Sequence, residues 1–404
     1  MRIGFIHPNS PSSEGTGAAH SATKIVQIAE QLGHDVTVYC AFAEPRPETE
    51  FSCRSFDTSG FPYHSKTNLN AEIRSRLSEF EEFDIVHTYL PSTVPALNTI
   101  SKQTSTSTAV TLNAYAGICP KNDLRYMGTE NCTNSGLGRC TRCIFNTRTG
   151  DSIGERAYNS VSLLGNYRLI SQLDGAEIEI DGFHALSDHL KTKYCAFGYP
   201  EQKMDVIPNV VDESFVTAHR SNFESPYQLL YVGYLREHKG VQMLPKIAAR
   251  LKQADLQFQM TVVGDGPMMG GLKRDVKRAG TTDCIEFRGH VSHEELPEIY
   301  ADHDLFVYTG VWEEPFGRIF LESLCAGTPV VGTNVGAVAE IIGDAGTVTD
   351  PDPEALAEKI IQVLSSGNLK QYAANTQRSV QRYSREAVEP LLEEFYTSVR
   401  ECEQ

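Results

Sequence analysis

The sequence has a single tryptophan, no surplus of positive charge and no long uninterrupted hydrophobic run. Its most apolar long stretch, LCAGTPVVGTNVGAVAEII, is broken by Gly, Pro, Asn and Glu, so we expect no membrane span. The apolar part of the opening MRIGFIHPNS is too short for a signal peptide and predicts a first β-strand. We therefore expect a cytoplasmic protein, with at most peripheral contact at the inner face of a membrane.

Acidic residues outnumber basic ones in both halves of the chain. The net charge is −16, with 18 Lys and Arg against 25 Asp and Glu in residues 1–215, and 18 against 27 in the remainder. Such a balance argues against nucleic acid as a partner and against electrostatic adhesion to anionic lipid. The length of 404 residues and the hydrophobic content of 40% are ordinary for a globular protein of two to three domains.

Short apolar runs alternate with helix-like segments and predict two α/β halves. IGFI, a glycine-bearing loop, a helix over 18–32 and the strand GHDVTVYC form a β-loop-α-β start, which is typical of a doubly wound sheet. The stretch 117–150 interrupts this half and predicts a cysteine-bearing loop. The alternation starts afresh at YQLLYVGYL and continues through FQMTVVGDG, CIEFRGHV, DLFVYTG and TPVVGTN. Such halves bind ligands at the C-terminal edges of their strands.

The segment WEEPFGRIFLE (312–322) places Glu314 and Glu322 eight positions apart. Pro315 suits the first position of a helix, so Glu314 is expected at the helix start and Glu322 about two turns in. At 1.5 Å per residue they would lie roughly 12 Å apart, whereas paired glycosidase carboxylates lie roughly 5–9.5 Å apart. The pair therefore fits hydroxyls at opposite ends of an extended ligand, such as a sugar nucleotide, with an anion at the helix N-terminus. The alternative is a capping glutamate and a solvated helix glutamate.

Several stretches together resemble the retaining glycosyltransferases of family 4 (glycosyl transferases group 1), which have the GT-B fold. VGYLREHKG, VVGDGP, FRGHVSHEEL, EEPFGRIFLESLCAGTPVV and VGAVAEII occur in the order and spacing of that family. The resemblance implies two doubly wound Rossmann-like domains facing a central cleft. It places the acceptor-side domain at 1–213, the donor-binding domain at 214–380, and a final helix at 381–404 that packs back toward the first domain.

The resemblance also implies an activity. A hexose would pass from a nucleoside diphosphate sugar to a hydroxyl of a glycan or lipid-linked acceptor, with retention at the anomeric carbon, in glycan, glycolipid or polysaccharide assembly. Two alternatives stay open: a sugar-nucleotide-binding protein with little turnover, and a phosphorylase or epimerase of the same fold.

Site residues follow from the resemblance position by position. Glu314 would contact the donor sugar, Lys239 would neutralise the diphosphate, and Glu322 would accept hydrogen bonds from the ribose. A fixed ammonium and helix-end amides can stabilise a leaving diphosphate, so no catalytic metal is expected. The other donor-binding positions implied are Arg236, Phe316, Gly317, Arg318, Gly15, Gly17, Asn113, Asn209, His290 and Val291.

Three positions depart from the family pattern. Tyr234 stands where arginine is usual, and Arg236, two residues on, is the candidate to replace it. Asn113 stands where many members have a histidine, and an amide cannot titrate, which rules out proton transfer there. Val210 replaces the usual glycine. These changes leave the fold prediction intact and leave the identity of the donor sugar open.

Some isolated side chains have two interpretations each. His87 is a satisfied core histidine or a site residue. His7 and His20 flank the first glycine-bearing loop, and each either contacts a ligand or acceptor or has no part in the site. Trp312 either packs beneath its loop or lines the sugar site.

A separate cluster consists of Cys119, Cys132, Cys140 and Cys143, spaced C-x₁₂-C-x₇-C-x₂-C. Four thiols in a reducing cytosol can form a structural Cys₄ zinc site, and the alternative is four free or buried thiols. Residues 121–148 carry five basic and two acidic side chains, a net charge of +3. We therefore expect the cysteines to staple a basic loop that holds an anionic or lipid-linked acceptor.

Overall fold

The computed structural model describes residues 1–11, 17–44, 50–59, 64–146, 152–173, 178–217 and 221–401. The chain divides into two compact units: unit 1 comprises Met1–Asn209 with Val388–Gln404, and unit 2 comprises Val210–Ala387. The sequence pattern places the first boundary four residues later, at 213/214, and the start of the last segment at 381. In the described ranges no helix combines the length and the apolar character needed to cross a bilayer.

Unit 1 is a doubly wound parallel sheet with helices. Its strands are β1 Arg2–His7, β2 Asp35–Cys40, β3 Ser52–Ser55, β4 Ile85–Thr88, β5 Ser107–Leu112, β6 Arg125–Tyr126, β7 Glu130–Asn131, β8 Gly182–Ala185 and β9 Met204–Val206. Its helices are α1 Gly17–Gln31, α2 Ser65–Ser75, α3 Leu77–Phe80, α4 Val94–Gln103, α5 Leu137–Asn146, α6 Ile153–Ile170 and α7 Asp188–Ala196. The sheet order is β3-β2-β1-β4-β5-β8-β9, and β6 and β7 form a separate antiparallel hairpin. The order reverses between β1 and β4.

Unit 2 repeats this plan. Its strands are β10 Tyr227–Val232, β11 Phe258–Val263, β12 Ile285–Gly289, β13 Leu305–Tyr308, β14 Val330–Thr333 and β15 Gly346–Thr349. Its helices are α8 Leu244–Gln253, α9 Met269–Ala279, α10 Leu296–Ala301, α11 Arg318–Cys325, α12 Val338–Ile342, α13 Pro353–Ser365 and α14 Asn368–Gln381, followed by α15 Arg385–Glu401. The parallel order is β12-β11-β10-β13-β14-β15, with the reversal between β10 and β13.

The strands read as continuous apolar runs because helices cover both faces of each sheet. In β1, Ile3, Phe5 and Ile6 are fully buried, and in unit 2 Leu229 and Val307 form part of one core with helices α8 and α13. Burial on both faces removes the alternation that marks a half-exposed strand. The sequence therefore predicts these strands by their length and their β-branched content.

Helix α15 belongs to unit 1 from Val388 onward. It approaches β8 closely because Gly182 has no side chain: a Cβ there would lie 2.3 Å from a methyl carbon of Val399. The hydroxyl of Tyr396 also lies 2.8 Å from Nδ1 of His87 in the core of unit 1. The last helix is therefore an integral part of the unit that the first half of the chain builds.

Two sequence-based expectations about local structure are wrong. Residues 117–150 are not only a loop, because α5 lies within them and buries Cys140, Cys143 and Ile144, which share one helical face. The second error concerns α11, which begins at Arg318 rather than at Pro315. Gly317 has a φ of +81°, which an α-helix cannot contain, so the helix starts only after it.

Candidate functional site

The C-terminal ends of β10 and β13 lie side by side, because these strands pair in parallel with Leu229 opposite Leu305. Reversal of strand order leaves room for a ligand beyond the carboxyl ends at such a point. The chain leaving β10 reaches Lys239 in a 3₁₀ turn, and the chain leaving β13 reaches Glu314. The two loops are joined by a hydrogen bond of 2.8 Å from the hydroxyl of Thr309 to the carbonyl oxygen of Lys239. Residues 75 positions apart are thereby brought to one edge of the sheet.

The carboxylate of Glu314 is the centre of this arrangement. Its Oε2 atom accepts hydrogen bonds from Nζ of Lys239 at 2.8 Å, from the hydroxyl of Tyr308 at 2.9 Å and from Nε1 of Trp312 at 3.0 Å. Glu314 is only 6% exposed, so these donors replace the water that a buried carboxylate loses. Within the described part of the chain, Oε1 accepts no hydrogen bond. One carboxylate oxygen is thus held by three donors, while the other accepts no bond from the described residues.

The aromatic neighbours complete the electrostatic setting. Nζ of Lys239 lies 4.9 Å from the ring centroid of Trp312, and the ring of His238 meets the same indole edge-on at 5.5 Å. Burial and the charge of Glu314 raise the pKa of Tyr308 far above its ordinary value. The hydroxyl of Tyr308 therefore stays protonated throughout the working pH range and donates its hydrogen bond to Glu314.

The N-terminus of α11 follows Glu314 closely in the chain. Amide groups in the first turn of a helix have no intrahelical acceptor and carry the positive end of the helix dipole. Gly317 is the N-cap residue and Arg318 begins this turn, while the ring of Phe316 is 3% exposed and packs edge-on against Tyr383 at 5.9 Å. At Phe316 the backbone, rather than the buried ring, is the part suited to contact a ligand.

Glu322 is also buried, within α11. Its Oε2 atom accepts a hydrogen bond of 3.4 Å from the hydroxyl of Tyr300. Burial raises the pKa of its carboxyl, against the opposing positive charges of Arg318 and His293. The predicted contact with a ribose stays a prediction.

The remaining donor-side positions of unit 2 lie near the surface. Arg236 is exposed, and its guanidinium stacks on the ring of Tyr234 with 4.8 Å between the guanidinium carbon and the ring centroid. This stack keeps the guanidinium beside the position where the family pattern has arginine. His290 is exposed just after β12, and Val291 beside it is half-buried.

Several positions in unit 1 were also assigned from the sequence. Gly15 lies outside the described residues, and Gly17 is the first residue of α1. Asn113 follows β5, and its Nδ2 donates a hydrogen bond of 3.1 Å to the carbonyl oxygen of Tyr89. Asn209 is buried at the end of the first segment of the unit.

Two histidines of unit 1 are core side chains. The ring of His87 is fully buried between the hydroxyls of Tyr396 and Thr111, each 2.8 Å away. Burial lowers the pKa of His7 to about 4, and its ring contacts the carbonyl oxygens of Asn9 and Ala19 at 2.7 and 3.1 Å. His87 thus matches the interpretation as a satisfied core histidine.

The four clustered cysteines line one cavity. Cys119, Cys140 and Cys143 are buried, and Cys132 is partly exposed. The sulfur of Cys143 accepts a bond of 3.2 Å from the backbone N–H of Met127, and burial raises the pKa of Cys119 to about 11. Over the ranges that the structure describes, no three His, Cys, Asp or Glu side chains are arranged to hold a metal ion. The four cysteines of the predicted Cys₄ zinc site therefore line the same cavity, but their side chains are not arranged as a coordination sphere.

Sequence reasoning missed the part that Tyr308 and Trp312 play around Glu314. Tyr308 appeared only within the predicted strand DLFVYTG, and Trp312 had two interpretations, packing beneath its loop or lining the sugar site. The available signal was their position within six residues before Glu314, with Tyr308 at the end of β13 and Trp312 on the loop that follows.

Comparison with known proteins adds independent information. Residues 216–380 match the family model "Glycosyl transferases group 1". An uncharacterized glycosyltransferase of Methanocaldococcus jannaschii (MJ1607) is 29% identical over 47% of this chain and 52% of its own length. The 2-deoxystreptamine glucosyltransferase of Streptomyces kanamyceticus is 29% identical over 40% of this chain and 45% of its own length. These matches span about half the length of the curated relatives.

Solved structures match nearly the whole chain. Anabaena Alr3699/HepE in complex with UDP superposes with a TM-score of 0.69 at 18% identity, covering 98% of this chain and 100% of that one. The apo lipopolysaccharide outer core galactosyltransferase WaaB gives a TM-score of 0.72 at 15% identity, with 98% and 99% coverage. At this identity the likeness shows the fold. The chain thus has the GT-B fold with two Rossmann-like domains, and its residues 216–380 match the glycosyl transferases group 1 family model.

Proposed function

We propose that this protein is a retaining glycosyltransferase that moves a hexose from a nucleoside diphosphate sugar to an acceptor hydroxyl. The observation that carries the proposal is the meeting of Lys239 and Glu314 at the switch point of unit 2, with the N-terminus of α11 next in the chain. An ammonium and helix-start amides suit a diphosphate, and an unoccupied carboxylate oxygen suits sugar hydroxyls. The group 1 domain and the UDP bound to the HepE structure support a nucleotide as the donor's carrier.

In the proposed reaction the bond between the anomeric carbon and the departing phosphate oxygen breaks. A bond from that carbon to the acceptor oxygen forms on the same face, and the acceptor proton passes to the departing phosphate. Negative charge grows on the diphosphate as it leaves, and Lys239 with the amides of Gly317 and Arg318 stabilises it. Glu314 orients the sugar through its hydroxyls, and Glu322 is assigned to the ribose.

The acceptor is proposed to be an anionic or lipid-linked glycan bound by the basic segment around the cysteine cavity. The exposed apolar side chains Leu137, Phe145 and Ile153 lie on α5 and at the start of α6, close in sequence to the exposed Arg142. Arg139 has a different part, because its guanidinium carbon lies 3.8 Å from the ring centroid of Tyr126 and packs the hairpin. Arg142 is therefore the better candidate to meet an acceptor.

A thermal-shift screen of nucleoside diphosphate sugars, beginning with UDP-glucose, tests the donor half of the proposal. A donor at 100 times its dissociation constant adds roughly 2.7 kcal/mol to the stability of the folded state. Transfer to a panel of lipid-linked and free glycans, with NMR of the anomeric configuration, then tests the reaction. We expect retention, and turnover that EDTA leaves unchanged, because Lys239 and the amides do the neutralising.

The same assays separate the alternatives. Donor binding without transfer or hydrolysis would indicate a sugar-nucleotide-binding protein. Products formed only with inorganic phosphate would indicate a phosphorylase, and a changed donor sugar without acceptor would indicate an epimerase. An inverted product would contradict the retaining reaction.

A further inference from the structure

Of the three hydrogen-bond donors to Oε2 of Glu314, only Lys239 has a side chain that is flexible enough to move away. Lys239 carries its charge on a flexible stem, and its side chain is 22% exposed. Tyr308 is 2% exposed, and its ring packs edge-on against Phe320 at 4.9 Å, which fixes its hydroxyl. Trp312 has a planar ring with a single N–H, which points at the carboxylate. The ammonium can therefore leave while two aromatic donors stay.

Departure of Lys239 alone would ordinarily be costly. Removing one partner of a buried ion pair leaves an uncompensated charge, which is strongly destabilising. Hydrogen bonds to a charged group are stronger than bonds between neutral groups, so those from Tyr308 and Trp312 offset much of this cost. A carboxylate with these two donors keeps its place when the ammonium turns to another anion.

We propose that Trp312 and Tyr308 are positioning residues that hold Glu314 while Lys239 exchanges the carboxylate for the diphosphate of an arriving donor. This inference rests on the proposed function. In this arrangement Tyr308 and Trp312 orient the carboxylate so that Oε1 faces the sugar. Lys239 binds the diphosphate and neutralises its charge. When no donor is bound, the ammonium of Lys239 is then paired with Glu314 instead of being solvated.

The exchange has a spectroscopic consequence, because Trp312 is the only tryptophan in the chain. The ammonium lies 4.9 Å from the ring centroid in the free protein, so its departure changes the field at the indole. Excitation at a wavelength selective for tryptophan therefore observes this one side chain and its surroundings.

The experiment titrates UDP, and the donor identified by the thermal-shift screen, into the wild type and into Lys239→Ala while the tryptophan emission is recorded. We expect a saturable change in the wild type. We also expect that free Lys239→Ala already has the emission of the donor-bound wild type and changes little on titration. An equal titration response in both proteins at saturation would overturn the exchange.

Two variants test positioning. Trp312→Phe keeps a ring and removes the N–H, and Tyr308→Phe removes only the hydroxyl; we expect each to lower kcat/KM for transfer about 10- to 100-fold, mainly through kcat. Tyr227→Phe is the matched control, because its hydroxyl bonds the Leu364 carbonyl oxygen elsewhere in unit 2, and it should keep full activity. If the wild type transfers sugar and both positioning variants keep its full kcat, this inference alone is refuted. Absence of wild-type transfer would refute the proposed function instead.

Discussion

Replacement of Glu314 by glutamine is the sharpest test of the site, because it changes charge with almost no change of shape. The amide can turn its carbonyl oxygen toward Lys239, Tyr308 and Trp312, but its NH₂ group then occupies the position of Oε1. A hydrogen-bond donor then replaces Oε1, the acceptor that we assign to the hydroxyls of the sugar. The bonds from Tyr308 and Trp312 lose their charge assistance and become roughly half as strong. The variant therefore loses sugar orientation and keeps its packing.

The magnitude follows from this exchange of groups. Loss of one preorganised electrostatic partner typically costs about 10²-fold or more in rate, which corresponds to about 2.7 kcal/mol in the barrier. The free energy of unfolding should change much less, because the side chain of Lys239 is 22% exposed and its ammonium can turn to water when it loses the charge of Glu314. We therefore expect a loss of at least about 100-fold in kcat/KM with little change in the melting temperature.

The assay measures nucleoside diphosphate release and glycosylated product with the donor found by screening. Glu358→Gln is the matched control: it makes the same chemical change in the exposed ion pair with Arg250 and should leave kcat/KM as in the wild type. Lys239→Ala should also fall about 10²-fold, and the double variant should lose less than the sum, because the two side chains are in contact. Full turnover of a well-folded Glu314→Gln protein would refute the assignment of this site.

Three further predictions concern unit 1. Burial lowers the pKa of His7 and of His184 to about 4 from 6.5, so the unfolded chain takes up protons first as the pH falls. The free energy of unfolding, measured with urea, should have its full value above pH 6.5 and should fall toward pH 4 by up to about 3 kcal/mol per histidine. A free energy of unfolding that does not change over this range would contradict the burial of neutral imidazoles. In alkylation mapped by mass spectrometry, Cys132 should react in the native protein while Cys119, Cys140 and Cys143 react only on unfolding, and chelators should change neither pattern nor melting temperature. Bound zinc or iron above about 0.2 equivalents, or stability lost on chelation, would instead establish the Cys₄ site. Arg142→Glu should lower acceptor use while donor hydrolysis is unchanged, and equal losses of both would contradict an acceptor role.

The fold could be predicted from the sequence because its strands are buried on both faces and end in glycine-bearing loops. Lys239 and Glu314 could be assigned because the motifs around them resemble a family, although 75 positions separate them. Their mutual hydrogen bond could not be predicted, since it depends on the pairing of β10 with β13 and on one lysine rotamer. The start of α11 was misplaced because the helix-favouring signal of Pro315 is overridden two residues later by the left-handed backbone of Gly317.

The return of the last helix to unit 1 has a practical meaning for dissecting the molecule. The polypeptide passes from one unit to the other twice, at 209/210 and at 387/388, so unit 1 is encoded by two separated stretches of the gene. A fragment ending at Asn209 would lack the helix that packs against Gly182 and whose Tyr396 bonds the buried His87. Deletion of the C-terminal helix should accordingly damage the unit built from the start of the chain. A stable isolated unit 1 calls for both stretches to be expressed together, through a linker or as two chains.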